Sequence, residues 1–159
     1  MNTAGKIIFL GSGILLVSSV VSFAKTANTF EKLDIDLKKF RIKTVKGGSV
    51  LFLADVKFTN PTNHEFTIAH PYIKTYYKGK QIGHSNPANK DFVVKGKAAT
   101  TIPDINVEFS LLDVVSVIPD FLQYLASKVQ GSPSTKIIAA DIITAINGNN
   151  ITERMEVKI

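Results

Sequence analysis

A chain of 159 residues, 45% apolar and 20% charged, has the composition of a folded protein with one core, and no internal repeat or low-complexity tract interrupts it. The absence of Cys excludes a disulfide, a zinc–thiolate site and a lipid-modified N-terminal Cys. The net charge of +6 comes mainly from Lys, with only Arg41 and Arg154 as arginines. With Arg so scarce and no aromatic–basic platform, no nucleic-acid partner is expected.

Ile7 to Ala24 carries no charge and as a helix would span about 27 Å, close to the roughly 30 Å hydrocarbon core. It predicts a transmembrane or signal-anchor helix over residues 1–25, with Ile7, Ile8, Phe9, Leu10, Ile14, Leu15, Leu16, Val17, Val20, Val21 and Phe23 as its apolar surface. A cleavable signal peptide is the competing reading, Ser22-Phe23-Ala24 having the small-x-small form of a cleavage site. A third is a helix packed in a protein assembly, since Gly11, Ser18 and Ser22 share one helical face.

Residues 26–159 then form one domain. Its first part is basic: Lys25, Lys32, Lys38, Lys39, Arg41, Lys43 and Lys46 outnumber Glu31, Asp34 and Asp36. Next to an anchor, such a stretch suits anionic headgroups, but a solvated strand face is the simpler reading. Leu33, Ile35, Leu37 and then Phe40, Ile42 alternate with charged residues and slip phase once, which predicts a strand with a bulge.

After Gly47-Gly48, Val50, Phe52, Ala54, Val56 and Phe58 alternate with Asp55, Lys57 and Thr59, the pattern of a half-buried strand ended by Asn60-Pro61. Phe66 to Tyr77 is a strand interrupted at Pro71, and Lys78-Gly79-Lys80 turns it into Gln81 to Ser85. Short strands follow at Asp91 to Val94 and Thr100 to Phe109. Leu111, Val114, Val115, Ile118, Phe121, Leu122, Leu125 and Val129 then recur at three and four, an amphipathic helix that Pro119 kinks or splits, with Ser110 and Asp113 placed as a capping box. Lys136 to Ile146 and Ile151 to Ile159 close the chain around Asn147-Gly148-Asn149-Asn150, a hairpin signal.

Seven or so short strands with one helix between late strands describe an antiparallel β-sandwich. The strand ending in Asn60-Pro61, the Tyr76-Tyr77-Lys78-Gly79-Lys80-Gln81-Ile82-Gly83 hairpin, the Ile105-Asn106-Val107-Glu108-Phe109 strand, the helix after it and the closing hairpin resemble the type 2 late embryogenesis abundant (LEA) family. The resemblance covers Leu33 to Ile159 and implies the immunoglobulin-like sandwich of the WHy domain, together with stress protection and membrane or partner binding. It supplies no catalytic residue, and the N-terminal anchor departs from the family's soluble members.

The residues themselves suggest no chemistry either. His64, His70 and His84 lack metal-ligand spacing, although the hairpin about Gly79 offers to bring His70 and His84 together. Asp34 and Asp36 share a strand side, which suits a charged surface better than an acid–base pair. Gly11-Ser12-Gly13 lies in the apolar segment and not after a strand, so it makes no phosphate loop. Asn150-Ile151-Thr152 fits a glycosylation acceptor, and Tyr72, Tyr76 and Tyr77 are candidate partner contacts beside the lysines. The expectation is therefore a membrane-anchored, non-enzymatic binding or protective domain without metal or cofactor, meeting lipid or protein. The alternative is a structural subunit of a large assembly, such as a phage virion or envelope complex, whose N-terminal helix mediates homo- or hetero-oligomers.

Overall fold

A computed structural model describes residues 33–112, 119–133 and 135–159, without the side chain of residue 129. Ahead of these only the backbone of Lys6–Leu10 and Ile14–Val21 is described, in extended rather than helical form. The anchor side chains and residues 1–5, 11–13 and 22–25 of the expected N-terminal helix, like Lys32 and Asp113 of the capping box, lie outside the described residues.

Among the described residues between 33 and 159 nine strands, all paired antiparallel, belong to one hydrogen-bonded sheet, with the helix Pro119–Val129 against it. They are β1 (Leu33–Lys46), β2 (Ser49–Asn60), β3 (Phe66–Ala69), β4 (Tyr72–Tyr77), β5 (Lys80–Ser85), β6 (Asp91–Val94), β7 (Ala98–Ser110), β8 (Ile137–Ile146) and β9 (Asn149–Lys158), with α1 (Pro119–Val129) between β7 and β8. The order runs β1-β2-β7-β5-β4-β8-β3-β6, and β9 lies along the other edge of β8. β3 and β4, parted at Pro71, both pair with β8, at Ile68 and at Tyr72 to Tyr76.

Alternation decides what each strand buries. On β2 Val50, Phe52, Ala54, Val56 and Phe58 are all buried, and β7 faces them with Ile102, Ile105, Val107 and Phe109. The predicted slip on β1 is a bulge between Leu37 and Lys39, which brings Phe40 inward; a second shift lies between Ile42 and Thr44. Asp55, read as an outward residue, is nevertheless 7% exposed. A bulge on β7 opposite it carries Pro103 and Asp104, which has φ of 55°, and Asp55 accepts a 2.9 Å hydrogen bond from the Asp104 N–H.

β5 joins two groups of strands, pairing with β4 and, through His84 and Ser85, with β7. Gly83 makes this approach possible: a Cβ there would lie 2.1 Å from the Phe109 ring and 2.7 Å from the Glu108 carbonyl. Below it a chain of rings crosses the core, Phe40–Phe52 at 4.9 Å, Phe52–Phe109 at 4.4 Å, Phe109–Phe121 at 5.9 Å and Phe121–Tyr77 at 5.1 Å. Phe121 thus ties α1 to both groups.

The helix starts where proline permits it. Pro119 is its first residue, Asp120 lies in the first turn and Lys128 in the last, matching the helix dipole. Ser132 N–H bonds the Ser127 carbonyl at 2.9 Å and Gly131, with φ of 81°, bonds that of Lys128 at 3.0 Å, a Schellman end. Leu111–Leu112 are helical as expected, and residues 113–118 lie outside the description.

Candidate binding site

The basic stretch of β1 does not form one patch. Lys38 pairs with Asp36 at 3.0 Å, Lys39 with Asp55 at 3.6 Å and Arg41 with Asp104 at 2.9 Å. Lys43 and Lys46 make no ion pair among the described residues and sit near the β1–β2 turn. At about 3.3 Å per residue that turn is roughly 40 Å along the strand from Leu33.

The tyrosines divide as well. Tyr72 and Tyr76 lie on the outer side of β4, but Tyr77 points the other way and is 7% exposed. Its hydroxyl donates to Asp120 Oδ2 at 2.8 Å, and Lys78 and Lys136 reach the same oxygen at 3.2 and 3.3 Å while lying over the Tyr77 ring. This knot pins the start of α1 to the sheet. The Tyr77 hydrogen bond first, then the two ammonium groups, lower the Asp120 carboxyl to about 2 from an ordinary 3.8 against the opposing effect of burial. A depressed carboxylate stabilises the fold above the ordinary value and stops doing so as pH falls through 2. Melting temperature is expected to drop between pH 4 and pH 2, with Asp120→Asn giving a shallower drop; an unchanged acid limb in that variant would remove the knot's role.

The histidines stay apart. His84 stands opposite Lys74, its ring 6.3 Å from Tyr72, while the His70 ring is 5.8 Å from Phe92. Their Nδ1 atoms lie at 3.1 and 3.0 Å from the carbonyls of Ser85 and Pro71. A turn at Lys78-Gly79 pairs residues that sum to about 157, which reaches Lys74 and not His70. Among the described residues no three His, Asp or Glu gather as metal ligands. Asp36 is drawn onto Lys38 and is 8% exposed, so it is not the open charged face the alternation suggested.

What the strands do assemble is a pocket of about 320 Å³, lined by Tyr76, Lys78, Gly79, Ile137, Ile138, Ala139, Arg154 and Glu156. It lies on the outer side of β4, β8 and β9, where Tyr76, Ala139 and Glu156 stand in one cross-strand row and Lys74, Asp141 and Arg154 in the next. Ala139 is the low floor. Arg154 is fixed from two sides: Nε and Nη2 donate to the two oxygens of the buried Asp141 at 2.6 and 2.8 Å, and the guanidinium carbon lies 5.1 Å from the Tyr76 ring centre. Asp141 raises the already high pKa of Arg154.

Neither Arg154 nor Ala139 stood out in the sequence, yet the signal was there. A two-residue turn at Asn147-Gly148, with φ of 47° and 81°, pairs residues that sum to 295, and this puts Asp141 opposite Arg154. The strand therefore starts at Asn149, two residues before the expected Ile151.

No protein-family model and no curated protein matches the chain. Among solved structures it is similar to a crystal structure of a protein from Archaeoglobus fulgidus, at 13% identity and a TM-score of 0.51, covering 82% of this chain and 94% of that one. It is also similar to a solution structure of a protein from Arabidopsis thaliana, at 19% identity and a TM-score of 0.50, covering 77% of this chain and 76% of that one. At these identities the likeness concerns the fold alone.

Proposed function

We propose that residues 26–159 are a non-enzymatic binding domain of the type 2 LEA kind, an immunoglobulin-like β-sandwich held at a membrane by a single-pass anchor in residues 1–25. The observation that carries the binding role is the pocket on β4, β8 and β9. It combines an immobilised guanidinium, an aromatic wall and an apolar floor, the mixture of a recognition surface. For the sandwich, the support is the inward alternation of β1-β2-β7 and of β9-β8-β4 onto one core, with β5 passing between them.

The anchor rests on the uncharged run Ile7 to Ala24; among the described residues no helix is long and apolar enough to cross a bilayer. Fractionation tests it. The full chain is expected in the membrane pellet, released by detergent and not by high salt, and deletion of Met1 to Lys25 should free the domain. A chain that stays soluble with no detergent and no partner overturns the anchor.

A second reading, the subunit of a large assembly, has its own support. Of the four large apolar side chains exposed among the described residues, Val45, Leu112 and Ile137, at 44, 79 and 53%, lie toward the end of the sheet that carries the β1–β2 turn and α1, and the fourth, Val93, lies on β6. Apolar side chains gathered at one end suit a neighbouring chain. Light scattering on the detergent-solubilised chain separates the two readings, a strict monomer with no co-purifying protein counting against the assembly.

A further inference from the structure

The proposed binding role leaves the bound chemistry open, and the pocket narrows it. Arg154 has five N–H donors, of which Asp141 occupies two, so three remain in a fork whose orientation Asp141 and Tyr76 already set. A fork fixed beforehand loses little freedom when it meets a planar carboxylate, which it matches two-to-two. The surroundings add positive charge: Lys74 and Lys158 lie on the same outer side, opposite Asp141 and Ile137 respectively, while Lys78, at the pocket wall, is already bonded to Asp120. Beside the fork, Ala139 leaves a hollow between Tyr76 and the half-exposed Ile137 that takes one apolar side chain.

Glu156 adds an acceptor. Its carboxylate stands in the row of Tyr76 and Ala139, where it accepts an N–H and disfavours a doubly charged phosphate more than a singly charged carboxylate. Donors, an acceptor and an apolar hollow within a few residues' span match the alternating groups of a peptide. The volume, near the lower end of the roughly 300–1,000 Å³ of ligand pockets, suits two or three residues.

Resting on the binding role proposed above, we infer that this pocket takes an acidic, apolar peptide segment of a partner protein. A carboxylate of the segment lies on Arg154, the neighbouring apolar side chain lies on Ala139 between Tyr76 and Ile137, and a backbone N–H of the segment donates to Glu156.

The test uses the full chain in neutral micelles and a blocked hexapeptide alternating Glu and Val, followed by amide resonance shifts and a binding isotherm. The expected result is saturable shifts centred on Tyr76, Ile137, Ala139 and Arg154, absent with the peptide alternating Lys and Val. Arg154→Lys, which keeps the charge but not the fork, should weaken binding at least tenfold. Ala139→Leu fills the hollow and should abolish binding while the protein melts at the parent temperature, which separates lost binding from lost folding. Shifts centred elsewhere, equal affinity for the two peptides, or parent-like affinity in both variants overturns the inference. So does the loss, in these variants, of adhesion to phosphatidylglycerol vesicles with peptide binding intact, since the pocket would then serve lipid. Detergent-dependent fractionation of the parent chain reports on the anchor separately, so the peptide can fail while the anchor stands.

Discussion

Replacing Phe58 with Ala is expected to cost about 3–5 kcal/mol, whereas Lys57→Ala should change stability by less than about 0.5 kcal/mol. Phe58 is fully buried in the middle of the sheet, with Ile35 opposite on β1 and Thr100 on β7. The loss has two parts: the transfer of a phenyl group back to water, and a hollow that flanking strands, hydrogen-bonded on both sides, cannot close. Lys57 is its neighbour in the chain but faces outward between Asp36 and Thr101. Against a total stability of about 5–15 kcal/mol the first change is a large fraction and the second is not. Denaturant melts of both variants decide the matter. Equal losses, or a larger loss at Lys57, would mean that the faces of β2 are misassigned, because a one-residue slip turns every side chain over and reverses the contrast.

That contrast was readable from the sequence because β2 alternates without interruption, and the same holds for the bulge at Lys38, the break at Pro71 and the turns at Lys78-Gly79 and Asn147-Gly148. Local rules suffice there: period two, a missing N–H, residues that tolerate positive φ. The buried position of Asp55 was not readable in this way. It depends on the bulge at Pro103-Asp104, 49 residues away in the chain, which supplies the N–H that makes burial of a carboxylate tolerable. Tyr77 misled for a related reason. It adjoins Tyr76 in sequence and so looks like part of one aromatic surface, but alternation sends it into the core, where Asp120 on a distant helix satisfies its hydroxyl. The candidate site stands between these cases. Its Asp141–Arg154 pair follows from a turn type, while the hollow over Ala139 needs β4 placed beside β8, a non-local pairing that no turn encodes.

Asn60 carries the other large expected effect. Its side chain is 1% exposed, and its Nδ2 donates to the carbonyls of His64 at 2.6 Å and Lys95 at 3.1 Å, with Val94 at 3.4 Å. Its Oδ1 accepts from the Thr62 N–H at 2.9 Å and the Thr62 hydroxyl at 2.8 Å. One amide therefore holds the turn after β2 against the chain after β6, where Gly96 packs so closely on Asn63 that a Cβ would lie 2.5 Å from its carbonyl. Asn60→Ala leaves these buried partners unmet, each worth about 1–3 kcal/mol when orphaned, and should destabilise by about 3 kcal/mol or more. Asn60→Asp keeps the shape and is the sharper test. At pH 7 its second oxygen would face three carbonyl oxygens with no proton to give, so the variant should be no more stable than Asn60→Ala. This arrangement favours the protonated acid and raises its folded pKa above the ordinary value of about 3.9. The penalty therefore grows as pH rises above that value and shrinks as pH falls toward it. Between pH 7 and pH 4.5, where Asp120 with its pKa of about 2 remains ionised, Asn60→Asp should recover stability relative to Asn60→Ala. Melts at the two pH values read this directly, and parent-like stability of Asn60→Asp at pH 7 would show that the amide is not the donor that joins these two loops.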